Sequence, residues 1–272
     1  MPVALARVID VAHTLWPLAG AEEWDVPGLI VGDPSAEVRA IHLAVDAVAD
    51  TVAEAVERDA QLLLVHHPLL LRGVTSVAED RYKGTMVARL IRGGCGLLAA
   101  HTNADVVARG TSAVLAARLG LVDPHPLVPS ARDASLGLGR VGELPAPVTL
   151  GELARGLGEI LPPTAQGIRG AGDYFAPIRR VALCAGAGDS LLANPAVQSA
   201  DVYITSDLRH HPASEARENA RIGGGPALLD ISHWAAEWLW LEAAADELRA
   251  ALPEVTVTVS ELRTDPWDFA LV

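Results

Sequence analysis

A chain of 272 residues, half of them hydrophobic, has room for one large α/β domain or two smaller lobes, and aromatics at 4% leave its core to Ala, Leu, Val and Ile. With 21 Lys and Arg against 34 Asp and Glu, the net charge of −13 pushes most of the surface away from nucleic-acid backbones, and no basic run marks an exception. The two cysteines, Cys95 and Cys184, form no CxxC and sit in apolar stretches, which argues against a disulfide scaffold or a zinc ribbon, predicts buried thiols and points to the cytoplasm.

From the start of the chain, Met1 to Leu15 lacks the positive opening and apolar run of an export signal, and no apolar stretch reaches the roughly 18–20 residues of a membrane helix. Val38 to Val45 alternates and is β-branched, which predicts a strand; Thr51 to Arg58 follows as a helix with Asp50 as its N-cap. Gln61 to Val65 suits a buried parallel strand, Gly84 to Ile91 a helix ended by Gly93 and Gly94, Cys95 to Ala100 another buried strand, and Thr111 to Leu119 a helix closed by Gly120. Val122 to Ala146, rich in Pro and Gly, reads as a crossing segment with a short strand at Gly139 to Leu144. Beyond it come a helix over Leu150 to Leu161, a strand over Arg180 to Cys184, a tight turn at Gly186 to Gly188 and a helix over Ser190 to Val197. The strand Asp201 to Ser206, the helix Pro212 to Ala220 and the strand Ala227 to Ile231 lead to a long helix from His233 to Ala251, stopped before Pro253, and a last strand over Val255 to Ser260. Strands alternating with helices predict an α/β fold of mostly parallel sheets flanked by helices, in two lobes, 1–125 and 126–272, that pack as one unit.

The ionisable residues gather where such a fold binds ligands, beyond the carboxyl ends of its strands. His66 and His67 follow Gln61 to Val65, His101 and Asp105 follow Cys95 to Ala100, and His233 with Glu237 follows Ala227 to Ile231. Each alone is commonplace: a loop pair, a helix cap, neighbours one turn apart on a helix. Three segments remote in sequence delivering imidazole and carboxylate to one edge is the pattern of a metal site, and three histidines and two carboxylates among these six groups already exceed what one open tetrahedral ion needs while suiting two ions that share a bridge.

The other chemical motifs say less. GAGDS (Gly186 to Ser190) has the small residues of a tight βα turn but neither the lysine of a P-loop nor a GxGxxG pattern. No GxSxG elbow occurs and neither cysteine has a histidine placed for a dyad, so covalent nucleophilic catalysis has no support. Trp234 and Trp238, one turn apart, read as core or subunit-interface packing.

HHPLLLRG (His66 to Gly73), HTNAD (His101 to Asp105), DVYITSDLRHH (Asp201 to His211) and SHWAAEW (Ser232 to Trp238) resemble the Nif-three-like dinuclear-metal-centre family, whose members are also called GTP cyclohydrolase 1 type 2 homologues. The likeness runs from WDVPGLIVGD (Trp24 to Asp33) to TDPW (Thr264 to Trp267). It implies a two-lobed α/β fold with a metal site between the lobes, and a homo-oligomer, a hexameric ring. It also implies two divalent ions per chain (Zn, Fe, Mn, Co or Ni) held by His66, His67, Asp105, His233 and Glu237. His101, Asp207 and His211 would support those ligands or line the cavity. Longer relatives insert a middle domain, for which Val122 to Ala146 leaves no room. One departure bears on substrate preference: relatives often carry Asn and Val where this chain has Val26 and Pro27.

The function this implies is a metal-dependent hydrolase acting on a nucleotide-type small molecule, cyclohydrolase-like or phosphoesterase-like. The alternative is a non-catalytic protein that stores, delivers or senses metal or regulates a partner. A metal that only staples the fold is disfavoured, because a core of this size stands without one.

Overall fold

The computed structural model describes residues 2–271. In chain order the main strands are β1 (Gly28–Val31), β2 (Ala40–Asp46), β3 (Leu62–His67), β4 (Gly96–Ala99), β5 (Val122–His125), β6 (Arg140–Thr149), β7 (Arg169–Ala171), β8 (Pro177–Ala187), β9 (Val202–Ser206), β10 (Ala227–Ile231) and β11 (Thr256–Val259). They form two sheets, and the chain divides into two compact units, Met1–Ala104 with Leu241–Thr264 and Asp105–Trp240 with Asp265–Val272.

The first unit carries a five-stranded sheet in the order β11-β2-β3-β4-β1. All neighbours are parallel except β1 on β4. Leu62, Leu63, Leu64 and Val65 of β3 are all fully buried, as a central strand covered on both faces requires. Each such side chain contributes about 1.5–3 kcal/mol by leaving water. The helices Ala49–Glu57 and Tyr82–Arg92 cover one face through Val52, Ala55, Met86 and Leu90. The division of the chain differs from the one expected at 125/126 for a topological reason. Strand β11 pairs in parallel with β2 (Val257↔Ile41), so the stretch Leu241–Thr264 belongs with the N-terminal unit.

The second unit carries a six-stranded sheet in the order β7-β10-β9-β8-β6-β5. Only its centre, β8-β9-β10, is parallel; β5, β6 and β7 run antiparallel to their neighbours, so this sheet is mixed. Val202, Tyr203 and Ile204 of β9 are fully buried, and Val141, Ala182, Cys184, Tyr203 and Leu228 share one apolar cluster. Both cysteines are buried free thiols, as the sequence predicted; burial pushes Cys95 up to about 11 and Cys184 up to about 12.

Three local readings are corrected. The helix over 49–57 is capped at Val48, not Asp50: Thr51 Oγ1 accepts the Val48 N–H at 3.1 Å and donates to the Asp46 carbonyl at 2.7 Å. The predicted helix over Ser190 to Val197 is two short pieces, a 3-10 turn at Asp189–Leu191 and a helix at Pro195–Gln198 capped by Asn194. The middle segment is not a bare crossing, because β6 extends over ten residues inside the second sheet. Among the described residues no helix is long and apolar enough to cross a membrane.

Candidate metal centre

In the first unit, His66 and His67 close β3 and are part of the strand rather than of a turn beyond it. The parallel register sets Asp46 of β2 opposite His67, and Asp46 Oδ1 accepts from His67 Nδ1 at 2.7 Å. Thr264 Oγ1 donates to the other oxygen of the same carboxylate. On the other flank, His66 Nδ1 lies 2.8 Å from the Ala100 carbonyl just past β4. His101 joins the pair: its ring centroid is 5.2 Å from that of His66 and 5.6 Å from that of His67. One ligand atom from each of the three histidines lies within 4.8 Å of the others. Behind His101 stands Asp25, 8% exposed, whose Oδ2 is 3.0 Å from His101 Nδ1 and accepts Thr102 Oγ1 at 2.6 Å. Burial opposes the charge on Asp25, but hydrogen bonds from Thr102 and His101 outweigh it and hold the carboxyl below the usual carboxylate range.

In the second unit, His233 and Glu237 occupy the first turn of the long helix, with His233 Nε2 2.9 Å from Glu237 Oε1 and Glu237 only 3% exposed. Asp207 Oδ2 takes His233 Nδ1 at 2.7 Å from a left-handed turn (φ 56°) after β9. Burial works against the charged imidazolium, yet Glu237 and Asp207, one on each nitrogen, hold His233 well above the ordinary histidine range. Asp105 is fixed by Thr111 Oγ1 at 2.5 Å, and its segment is pinned by the buried Arg140, which donates to the Val107 carbonyl at 3.0 Å. Burial first, and then the charges of Asp105 and Glu237, push the Cys184 thiol up. Gly186, at φ +90°, completes this half: a Cβ there would stand 2.7 Å from Glu237 Oε1.

One rule orders all four histidines. His66, His67, His101 and His233 each engage Nδ1 with an oxygen, a carbonyl for His66 and a carboxylate for the others. A carbonyl only accepts, so His66 carries its proton on Nδ1, and the carboxylates favour the same tautomer. That makes Nε2 the ligand atom of His66, His67 and His101; at His233, Nε2 shares a proton with Glu237 Oε1, which a metal ion would replace. It is the orientation that metal-binding histidines receive from outer acceptors. The donor set of imidazole and carboxylate fits a borderline divalent ion.

The structure thus groups His66, His67 and His101 in one unit, and His233, Glu237 and Asp207 in the other, the unit that also holds Asp105. His101 sits nearly as close to each of the histidine pair as those two sit to each other, although the sequence reading left it outside the ligand set. His211 is exposed, its ring against His210 at 5.3 Å. Asp25, Asp46 and Arg140 were not singled out from the sequence. Asp46 carries the one available signal, an acidic residue directly after the predicted strand Val38 to Val45. The GAGDS glycine serves the carboxylate of Glu237 by staying small, which is the tight-turn reading.

Comparison with known proteins agrees with this architecture. The model of the Duf34/NIF3 (NGG1p interacting factor 3) family matches residues 3–266. A Streptomyces coelicolor protein named GTP cyclohydrolase 1 type 2 homolog is 47% identical over 269 residues, covering 97% of this chain and 93% of the relative. A Mycobacterium leprae protein of the same name is 35% identical over an alignment of 375 positions, covering 98% of this chain and 96% of the relative. Among solved structures, a Bacillus cereus protein related to NIF3 superposes with a TM-score of 0.90 at 21% identity, covering 98% of this chain and 99% of that one. A Staphylococcus aureus hypothetical protein, SA1388, superposes with a TM-score of 0.89 at 26% identity, covering 99% and 100%.

Proposed function

This chain belongs to the Duf34/NIF3 family, and on that premise we propose that it binds two divalent metal ions and uses them in hydrolysis of a nucleotide-type small molecule. The proposed ligands are His66, His67, Asp105, His233 and Glu237, and we add His101 because of its place against the histidine pair. The observation that carries the reading is the common orientation of the histidines: Nδ1 of His66, His67 and His233 is hydrogen-bonded to an oxygen, and Nδ1 of His101 stands 3.0 Å from Asp25 Oδ2. Other histidines can share that orientation, as His125 does on the Asp123 carbonyl, but here it coincides with three imidazoles whose ligand atoms lie within 4.8 Å of one another.

When bound, a pair of divalent ions supplies Lewis acidity and a water acidified to near-neutral pKa. The chain's own groups do the rest. Asp46, Asp25 and Asp207 hold the imidazoles in the tautomer that offers Nε2. Asp207, more exposed than the histidine it holds, is placed to exchange a proton between His233 Nδ1 and solvent. The name shared by the curated relatives supports a purine nucleotide as the first substrate to try. The assembly we propose is a homo-hexamer working in the cytoplasm.

The test loads purified protein with Zn, Fe, Mn, Co or Ni in turn, counts ions per chain and follows turnover of GTP and a nucleotide panel. Two ions per chain are expected, together with turnover that Glu237→Ala abolishes. Fewer than two ions removes the dinuclear reading. Two ions without turnover on any nucleotide, combined with ready release to a competing apo-protein, replaces the hydrolase with a metal carrier.

A further inference from the structure

Beside the three-histidine group stands an indole that the metal reading does not use. Trp24 is 61% exposed and its neighbour Val26 is 84% exposed. Exposure alone means little, since surfaces carry single apolar residues without consequence. Here, however, the exposed ring is mounted on a buried polar frame. Asp25 accepts the Thr102 hydroxyl at 2.6 Å and the Thr102 N–H at 3.2 Å through Oδ2, and the Val26 N–H at 3.0 Å through Oδ1. Upstream, the Glu22 N–H donates to Thr102 Oγ1 and the Asp25 N–H to the Glu22 carbonyl, both at 3.0 Å. The loop is tied on both sides of Trp24 to the segment that carries His101. The indole meets the His101 ring edge to face, at 5.8 Å between centroids and 76° between planes. His101 in turn stands 5.2 Å from His66 and 5.6 Å from His67.

We propose that Trp24 is the stacking platform for a planar heteroaromatic ring, the base of the substrate, which it holds next to His66, His67 and His101. The proposal deepens the function proposed above and rests on its nucleotide-type substrate. A rigid aromatic presents contact area at little conformational cost, and a π-face accepts any flat heterocycle. Charge strengthens the case: a chain of net charge −13 gives a polyphosphate no general attraction, so recognition must come from the uncharged part of the ligand or from the metals. The departure at Val26 and Pro27 falls in this same loop, directly after the platform and its anchor Asp25.

The experiment measures equilibrium binding to the full chain of guanosine, which has a base and no phosphate, and of ribose 5-phosphate, which has no base. Titration calorimetry is run on wild type, Trp24→Phe and Trp24→Ala, with ions per chain counted on each and assembly followed by sedimentation. Guanosine binding should weaken by about tenfold or more in Trp24→Ala and stay within about threefold in Trp24→Phe, as expected for loss and retention of a stacking face. Ribose 5-phosphate binding and metal content should not change. Equal guanosine affinity in wild type and Trp24→Ala, or no guanosine binding by wild type, overturns the proposal. So does a Trp24→Ala variant that loses only its assembly, which would make the indole a contact between copies. A wild type that holds two ions but ignores guanosine sinks this proposal and leaves the metal reading standing. One that binds guanosine through Trp24 yet holds no ions does the reverse.

Discussion

Asp46 is not among the proposed ligands, and its removal is therefore informative. It fixes the His67 imidazole through Nδ1 and is itself held by Thr264. Asp46→Ala should leave the ligand set complete and still weaken metal binding by about 10–100-fold, measured by competition with a chelator of known affinity. Unchanged affinity would mean that the carboxylate orients nothing. Gly186 makes a different demand, for space. Ala at this position meets a left-handed backbone and a Cβ 2.7 Å from Glu237 Oε1, while Ala at Gly120, also left-handed (φ +70°), meets nothing within 4 Å. Both substitutions should cost about 1 kcal/mol or more in backbone strain. Only Gly186→Ala should also lower the ions bound per chain, because only there does the methyl displace a ligand. Equal metal content in the two variants would show that Glu237 is not required. That histidines gather at strand ends was legible from the sequence, because several ionisable residues at strand ends in that number have few other uses. Their supports were not legible, because an Asp at a strand end reads as an ordinary cap until the neighbouring strand is known.

The elements were readable where burial alone decides them. Ala227–Ile231 and His233–Ala251 have the predicted ends, and β3 starts one residue later than predicted and runs on through both histidines. Reading failed where local chemistry conflicts with tertiary pairing. Strand β6 contains Pro145 and Pro147, which argue against a strand, yet it pairs with β8 on both sides of a register shift between Glu143 and Val148 that takes up the prolines. The polar tie that joins β2 and the helix Ala49–Glu57 to β11 was also invisible, because its two ends lie more than 200 residues apart. His42, fully buried, contacts Thr258 at 2.8 Å and Glu54 at 3.0 Å, and Ser260 donates to the same Glu54 oxygen at 2.5 Å. Removing the carboxylate leaves buried groups of two elements without their acceptor, so Glu54→Ala should destabilise the protein by about 2–4 kcal/mol in urea denaturation. Burial opposes the charge on Glu54, but Ser260, His42 and Arg58 outweigh it and lower its pKa from the ordinary 4.5. A depressed folded-state pKa means the stabilisation is complete above about 4.5 and fades as pH falls through the lower folded value. The gap between wild type and Glu54→Ala should therefore shrink below that pH; a gap that widens on acidification would contradict the ion pair.

At the scale of the whole molecule the question is whether metal builds the fold or only uses it. Each unit has its own apolar cluster, Leu63, Val65, Leu90 and Leu97 in one, Val141, Ala182, Tyr203 and Leu228 in the other. Cores of that kind stand by hydrophobic burial, unlike those of small zinc domains whose folding energy is the metal's. The proposed ligands are also held from behind before any cation contributes: Asp46, Asp25 and Asp207 fix three imidazoles, and Thr111 fixes Asp105. Chelation should then leave the far-ultraviolet circular dichroism at 25 °C unchanged while lowering Tm. An ion that binds only the folded chain, present at about a thousand times its Kd, adds about 4 kcal/mol, which for units of this size corresponds to a fall of roughly 10 °C when it is withdrawn. Re-addition of a divalent ion should restore the lost degrees without a refolding step. Collapse of the dichroism at 25 °C on chelation would reverse the conclusion, because the ions would then be holding the sheets together and the preset histidines would be a consequence of binding, not its preparation.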